Sequence, residues 1–132
     1  MIGKKLIAYM FMFFFSLILI FSNGHWGGDG LENYLAAESI VLKGNLIIYD
    51  KPFQVKEMKY SVRGQVDNYG YRYASEGIGM SLALVPFYAL GHLLAQGLPS
   101  GFHDYITQFI VALANPLLIA LTAVLLFVFI TP

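Results

Sequence analysis

The chain has 132 residues, of which 58% are hydrophobic and only 12% are charged. Soluble globular domains carry about a quarter charged residues, so this composition argues for a membrane protein. The formal net charge is zero, so the sequence offers no basic surface for nucleic acid, and no nucleic-acid partner is expected. The absence of cysteine excludes disulfides and thiolate metal sites within the chain.

Three stretches of the chain contain no Asp, Glu, Lys or Arg: residues 6–28, 77–103 and 105–132. Each is longer than the roughly 20 residues that a helix needs to cross the hydrocarbon core of a bilayer. The sequence therefore predicts an all-α membrane protein with three transmembrane helices. Residues 1–22 form the first helix and its short N-terminal segment, 23–76 form a long external loop, and 77–132 form a hairpin of the second and third helices.

The first predicted span covers residues 6–21 and follows Lys4 and Lys5. The positive-inside rule places these lysines in the cytoplasm and the following loop outside, which suits a plasma-membrane protein. The alternative is a cleavable signal peptide that is cut near residues 22–24.

Residues 23–75 of the external loop contain six acidic and six basic residues. Residues 31–43 show a helical pattern that ends at Gly44, a good helix stop. Such a short amphipathic helix is expected to lie along the membrane surface or against other helices. Residues 45–49 are compatible with an extended segment, and 51–70 are expected to be irregular. The residues predicted on the apolar face of the helix are Leu31, Tyr34, Leu35, Val41 and Leu42, with Glu38 as an interruption.

The second predicted span covers residues 78–98 and the third covers 105–129. Pro86 is a candidate kink in the second span, and Gly77, Gly79 and Gly91 would allow other helices to approach closely. The connection between the two spans is short, so they are expected to form a tight hairpin.

Residues 27–34 read GGDGLENY and carry the most informative polar pattern of the chain. The structural interpretation is that Asp29 caps the following helix and Glu32 completes a capping box. The catalytic interpretation is that Asp29 is a general base that takes a proton from an acceptor hydroxyl. The two roles are partly compatible, because a helix N-terminus favours the ionised carboxylate that a base requires.

This order of motifs resembles the N-terminal part of the polytopic GT-C glycosyltransferases, which include the protein O-mannosyltransferases and the bacterial lipid A aminoarabinose transferases. The resemblance is carried by the DGLENY turn at 29–34, the helix LAAESIVL at 35–42, YRYASEG at 71–77, LVPFYALG at 84–91 and ANPLLIALTA at 114–123. These motifs cover most of the chain, although they are loose. The protein mannosyltransferases usually have adjacent Asp-Glu where this chain has Asp29-Gly30-Leu31-Glu32.

The resemblance implies transfer of a sugar from a polyprenyl-phosphate-linked donor to an acceptor hydroxyl or amine on the outer face. It implies that Asp29 is the base, with Glu32 as the substitute. Enzymes of this type have more spans than three, so the chain is expected to be an N-terminal fragment that needs further transmembrane helices or a membrane partner. No cofactor is predicted, and a divalent-metal requirement is left open.

Arg72 precedes the second span, at the depth of a lipid phosphate, and is the first candidate to bind the donor phosphate. Its simpler interpretation is an interfacial anchor between Tyr71 and Tyr73. Arg63 and Lys43 are weaker phosphate-binding candidates. No metal ligands are expected, because His92 and His103 lack a companion at helical spacing. Two further functions stay open: a small non-enzymatic membrane protein that packs against a partner, and a transporter fragment.

Overall fold

The computed structural model describes residues 4–21, 29–49, 65–69, 71–74 and 78–130. Most of these residues are helical. The five helices are α1 (Lys4–Phe21), α2 (Asp29–Lys43), α3 (Ile78–Ala95), α4 (His103–Ala112) and α5 (Ala114–Ile130), with a 3-10 turn at Ser100–Phe102. The three short strands are β1 (Ile47–Tyr49), β2 (Gln65–Val66) and β3 (Arg72–Tyr73).

The chain divides into two compact units. One unit combines Met1–His25 with Ala112–Pro132, and within it α1 packs against α5. The other unit is Trp26–Val111, which holds α2, the strands, α3 and α4. The candidate site residues Asp29, Glu32 and Arg72 all belong to this second unit.

Two helical segments are long and apolar enough to cross a membrane: Ile78–Ala95, with a mean hydropathy of 1.7, and Ser100–Ile130, with a mean hydropathy of 2.5. Only 28% and 17% of their residues are buried within the protein, whereas the core helix of a soluble domain is mostly buried. These segments match the second and third predicted spans. The apolar part of α1, Lys5–Phe21, is shorter, so the first span stays a prediction.

The third predicted span is interrupted. The structure places a turn at Leu113 between α4 and α5, where a single helix over 105–129 was expected. Pro116 explains the position of this turn, because proline has no N–H to bond the carbonyl four residues earlier and its ring clashes with that carbonyl. By contrast, α3 continues through Pro86 without a break.

The predicted all-α class omits a small antiparallel sheet in the order β1-β3-β2. Arg72 and Tyr73 form its central strand, with Val66 opposite Arg72 and Gln65 opposite Tyr73. The described part of the 51–70 segment is therefore ordered by a hairpin, and the expectation of irregular structure is wrong there. The rest of that segment lies outside the described residues.

Helix α2 ends as predicted, because Gly44 adopts the left-handed conformation with φ of 67° and its N–H bonds the Ile40 carbonyl at 3.1 Å. The apolar face predicted for this helix is mostly not the face that packs inward. Of the five residues assigned to it, only Tyr34 is buried, and Leu42 is 48% exposed. The buried residues of α2 are instead mostly small or polar, namely Glu32, Asn33, Tyr34, Ala36, Ala37 and Ser39.

Candidate functional site

Helix α2 begins at Asp29, so the predicted general base stands at the N-terminus of a 15-residue helix. The partial positive charge of a helix N-terminus stabilises a nearby carboxylate in its ionised form. The Asp29 side chain lies outside the part of the structure that is described. The contacts of its carboxylate, and the predicted capping box with Glu32, therefore stay predictions.

Glu32 is fully buried, with none of its surface exposed to solvent. It lies one helical turn after Asp29, on the side of α2 that packs into the unit. An acceptor molecule in solvent cannot reach a carboxylate in this position. Glu32 therefore lies within the unit, and the predicted role of Asp29 stays a prediction.

The contact between α2 and α3 is polar at two points. The Ser81 hydroxyl donates a hydrogen bond of 2.8 Å to Asn33 Oδ1, and both residues are buried. Further along, the Tyr88 hydroxyl donates a hydrogen bond of 2.9 Å to Glu38 Oε1. Two directional bonds of this kind fix both the position and the rotation of α2 against α3.

Aromatic contacts reinforce the same interface. The rings of Tyr34 and Tyr88 meet edge to face, with centroids 5.4 Å apart, and the His92 ring stacks on Tyr88 at 6.3 Å. Neither Ser81 nor Tyr88 is among the predicted site residues. Their spacing of seven residues on one face of an otherwise apolar helix is the signal that could have identified them.

Helix α3 also approaches α4 closely. A Cβ added at Gly91 would lie 2.9 Å from the Thr107 Cα atom, which is too close for any real side chain. The predicted role of Gly91 in close helix contact is therefore confirmed. Gly79 has nothing within 4 Å of such a Cβ, so the same prediction is wrong there, and Gly77 lies outside the described residues.

Arg72, the predicted phosphate-binding residue, lies half-buried in the central strand of the sheet. The strand precedes α3, and its neighbour β1 packs against α2, so the sheet joins the two helices. Ser39 strengthens this connection, because its hydroxyl lies 2.6 Å from the Ile47 carbonyl oxygen and 2.8 Å from Asn45 Oδ1. The sheet therefore holds Arg72 on the same unit as the start of α2.

Asp67 organises the turn that precedes Arg72. Its Oδ1 accepts hydrogen bonds of 2.9 Å from the backbone N–H groups of Tyr69 and Tyr71. The Tyr73 hydroxyl donates to Oδ2 of the same carboxylate at 3.3 Å. Partial burial, together with the negative charge of Asp67, raises the pKa of the Tyr73 hydroxyl.

A pocket of about 80 Å³ lies where α2, β3 and the start of α3 meet. Ligand sites for drug-sized molecules are commonly at least 300 Å³, so this pocket alone cannot enclose a sugar. Its lining residues are Ala36, Leu46, Tyr73, Ala74, Ile78 and Ser81.

The remaining polar candidates are dispersed. Lys43 ends α2 and is exposed, while Arg63 lies outside the described residues. His103 Nε2 is 2.8 Å from the Leu98 carbonyl oxygen and closes the turn before α4.

Comparisons of the chain with protein-family models, with curated proteins and with solved structures give no match.

Proposed function

We propose that the chain is the N-terminal portion of an integral membrane glycosyltransferase that transfers a sugar from a polyprenyl-phosphate donor to a hydroxyl or amine on the outer face. In this proposal the membrane is crossed three times, by α1, by α3 and by the segment that contains α4 and α5. The N-terminus is cytoplasmic, and Asp29 lies on the side of the membrane where transfer occurs.

One observation carries the proposal: Asp29 starts a helix that is held by the bond between Asn33 and Ser81 to the beginning of an apolar, membrane-length helix. A general base must be held at a defined position relative to its substrates, and a lipid-linked donor is confined to the membrane surface. The arrangement supplies a carboxylate at a helix N-terminus near the point where α3 starts. Arg72, in the strand before α3, is the proposed contact for the phosphate of the donor.

The first alternative is a non-enzymatic membrane protein that packs against a partner, and the second is a transporter fragment. Intramembrane charges often mark transport pathways. Among the described residues, the two membrane-length segments contain Asp104 as their only Asp, Glu, Lys or Arg, and it lies near the start of the second. In the described part of the chain, the buried carboxylate is Glu32 of α2, which lies outside these two segments. This placement favours the glycosyltransferase over the transporter.

The test uses chromosomal variants in the native host, so that every partner of the chain is present. Asp29→Asn keeps a good helix cap but removes the base. We expect it to reduce sugar transfer by roughly a hundred- to ten-thousand-fold and to let the unspent polyprenyl-phosphate sugar accumulate. Mass spectrometry of lipid extracts measures this accumulation whichever sugar the donor carries.

Glu32→Gln is the matched control, since it changes a carboxylate of the same helix and can still close a capping box. With protein levels matched by immunoblot, Glu32→Gln should leave the lipid-linked sugar pool close to the parent level. An unchanged pool in a strain that lacks the whole gene would refute the glycosyltransferase proposal. Accumulation in Glu32→Gln but not in Asp29→Asn would instead identify Glu32 as the base.

A further inference from the structure

We infer that Ser81 is a positioning residue for the proposed base, because its hydrogen bond to Asn33 holds the first turns of α2 beside the start of α3. This inference rests on the proposed function, in which Asp29 takes a proton from the acceptor. It gives a buried side chain of α3 a role in sugar transfer that is separable from its contribution to stability.

The first argument is the place of this bond along α2. Asn33 follows Asp29 by four residues, which is about one turn or roughly 6 Å of helix. Residues at this spacing share one face of a helix, so the position of Asp29 is on the side of α2 that meets α3 at Asn33. A shift of Asn33 against α3 therefore moves the backbone of Asp29 by a similar distance.

The second argument is the burial of the two bonded residues. Ser81 is fully buried and Asn33 is 8% exposed, and the hydroxyl donates to Asn33 Oδ1 at 2.8 Å. A buried hydrogen bond of this kind holds its partners in one arrangement. Ser81 lies in the first turn of α3, which begins at Ile78, so the bond ties the start of α2 to the start of α3.

The third argument is that the C-terminal half of α2 has attachments of its own. Glu38 accepts a hydrogen bond from the Tyr88 hydroxyl of α3. The adjacent Ser39 hydroxyl lies 2.6 Å from the carbonyl oxygen of Ile47 in β1. Neither contact involves Ser81, so both remain when the Ser81 hydroxyl is removed. We therefore expect α2 to stay folded and attached while its first turns gain freedom of movement.

The test compares Ser81→Ala with Ser81→Thr in the native host. Alanine removes the hydroxyl, whereas threonine keeps it and can place its methyl group in the pocket of about 80 Å³ that Ser81 lines. The measured quantity is the rate at which the endogenous polyprenyl-phosphate sugar is consumed in isolated membranes, followed by mass spectrometry. Each rate is divided by the amount of the chain on an immunoblot, so a lower protein level does not count as a slower reaction.

Gly91→Ala is the control for lost stability. It disturbs the same helix at its close contact with Thr107 of α4 instead of at its contact with α2. We expect Ser81→Ala to consume the donor about a hundred-fold more slowly than the parent, since a displacement of about 1 Å can slow an enzymatic reaction by that factor. Ser81→Thr and Gly91→Ala should stay close to the parent rate per molecule of chain.

A parent-like rate in Ser81→Ala, while Asp29→Asn blocks consumption, would overturn the positioning role and leave the proposed base intact. Equal losses in Ser81→Ala and Gly91→Ala would overturn it as well, because the effect would then be one of stability. So would a Ser81→Thr chain that is as slow as Ser81→Ala, because the hydroxyl would not be the group that matters. Consumption that does not depend on Asp29 would refute the proposed base, and the inference with it.

Discussion

The Tyr88 hydroxyl donates a 2.9 Å hydrogen bond to the carboxylate of Glu38, a residue 50 positions earlier in the chain. The bond joins α2 to α3, which is long and apolar enough to cross a membrane. It lies at the end of the interface opposite to the bond between Ser81 and Asn33. Together the two bonds determine where α2 begins, and therefore where Asp29 stands.

Tyr88→Phe tests the contribution of this bond. Phenylalanine keeps the ring contact with Tyr34, so the change removes only the hydroxyl. Loss of a hydrogen bond to a charged group costs about 1.5–3 kcal/mol, and we expect that decrease in the free energy of unfolding in detergent. Glu38→Gln should cost less, because it keeps an acceptor oxygen. A double-mutant cycle that shows no coupling between the two positions would contradict the described bond.

The helices could be predicted from the sequence, because uncharged stretches of membrane length and a glycine stop are local signals. Which face of α2 is buried could not be predicted from the sequence. Its leucines form a regular stripe, and in water that stripe would face the core. The partner of α2 is α3, which offers Ser81 and Tyr88, so the side of α2 that can hydrogen-bond is the one that turns inward. The inward face of α2 therefore depends on contacts with residues as far as 50 positions away, which no local sequence pattern indicates.

The candidate site was likewise predictable only in part. Asp29 could be placed at a helix start from the GGDG turn, and the helix indeed begins there. The burial of Glu32, one turn later, follows from which face packs inward, so it could not be read from the capping pattern. The sheet that carries Arg72 was missed because its strands have two or three residues each, too few for a periodic pattern. The residues Asp67, Asn68 and Gly70 were the available turn signal.

Two glycines of α3 offer a matched comparison. Gly91→Ala places a methyl group 2.9 Å from the Thr107 Cα atom, where only movement of the backbone can relieve the clash. We expect it to lower the free energy of unfolding by about 1–3 kcal/mol. Gly79→Ala meets nothing within 4 Å and should raise it by roughly 0.5–1 kcal/mol, since alanine is the better helix former. Thermal unfolding in detergent measures both. An equal change in the free energy of unfolding for the two variants would mean that α3 and α4 do not approach closely.

The raised pKa of Tyr73 predicts a dependence of stability on pH. The hydroxyl of an unfolded tyrosine has a pKa of ~10, which is lower than the pKa of Tyr73 in the folded chain. Deprotonation at high pH therefore favours the unfolded state. The stability that Tyr73 contributes is therefore complete below pH ~10 and is lost as the pH rises through the folded pKa. We expect the parent chain to lose more stability than Tyr73→Phe across this window. Asp67→Asn should lower the pKa of Tyr73 toward its ordinary value, and parallel curves for parent and Tyr73→Phe would contradict the assignment.

The last prediction concerns the side of the membrane on which each loop lies. Cysteines at Lys51 and Tyr69 report the loop before α3, and a cysteine at Ser100 reports the turn after it. Tyr69 and Ser100 are both exposed in the structure, so protection of either residue reports the membrane side rather than burial in the protein.

A membrane-impermeant thiol reagent applied to intact cells should label positions 51 and 69 and leave position 100 unreacted. A permeant reagent should label all three. Because α3 is long and apolar enough to separate the two loops, labelling of all three positions by the impermeant reagent would mean that α3 does not cross. Labelling of Ser100 alone would reverse the orientation. Asp29 would then lie on the cytoplasmic face, where it could not act on an acceptor at the outer surface.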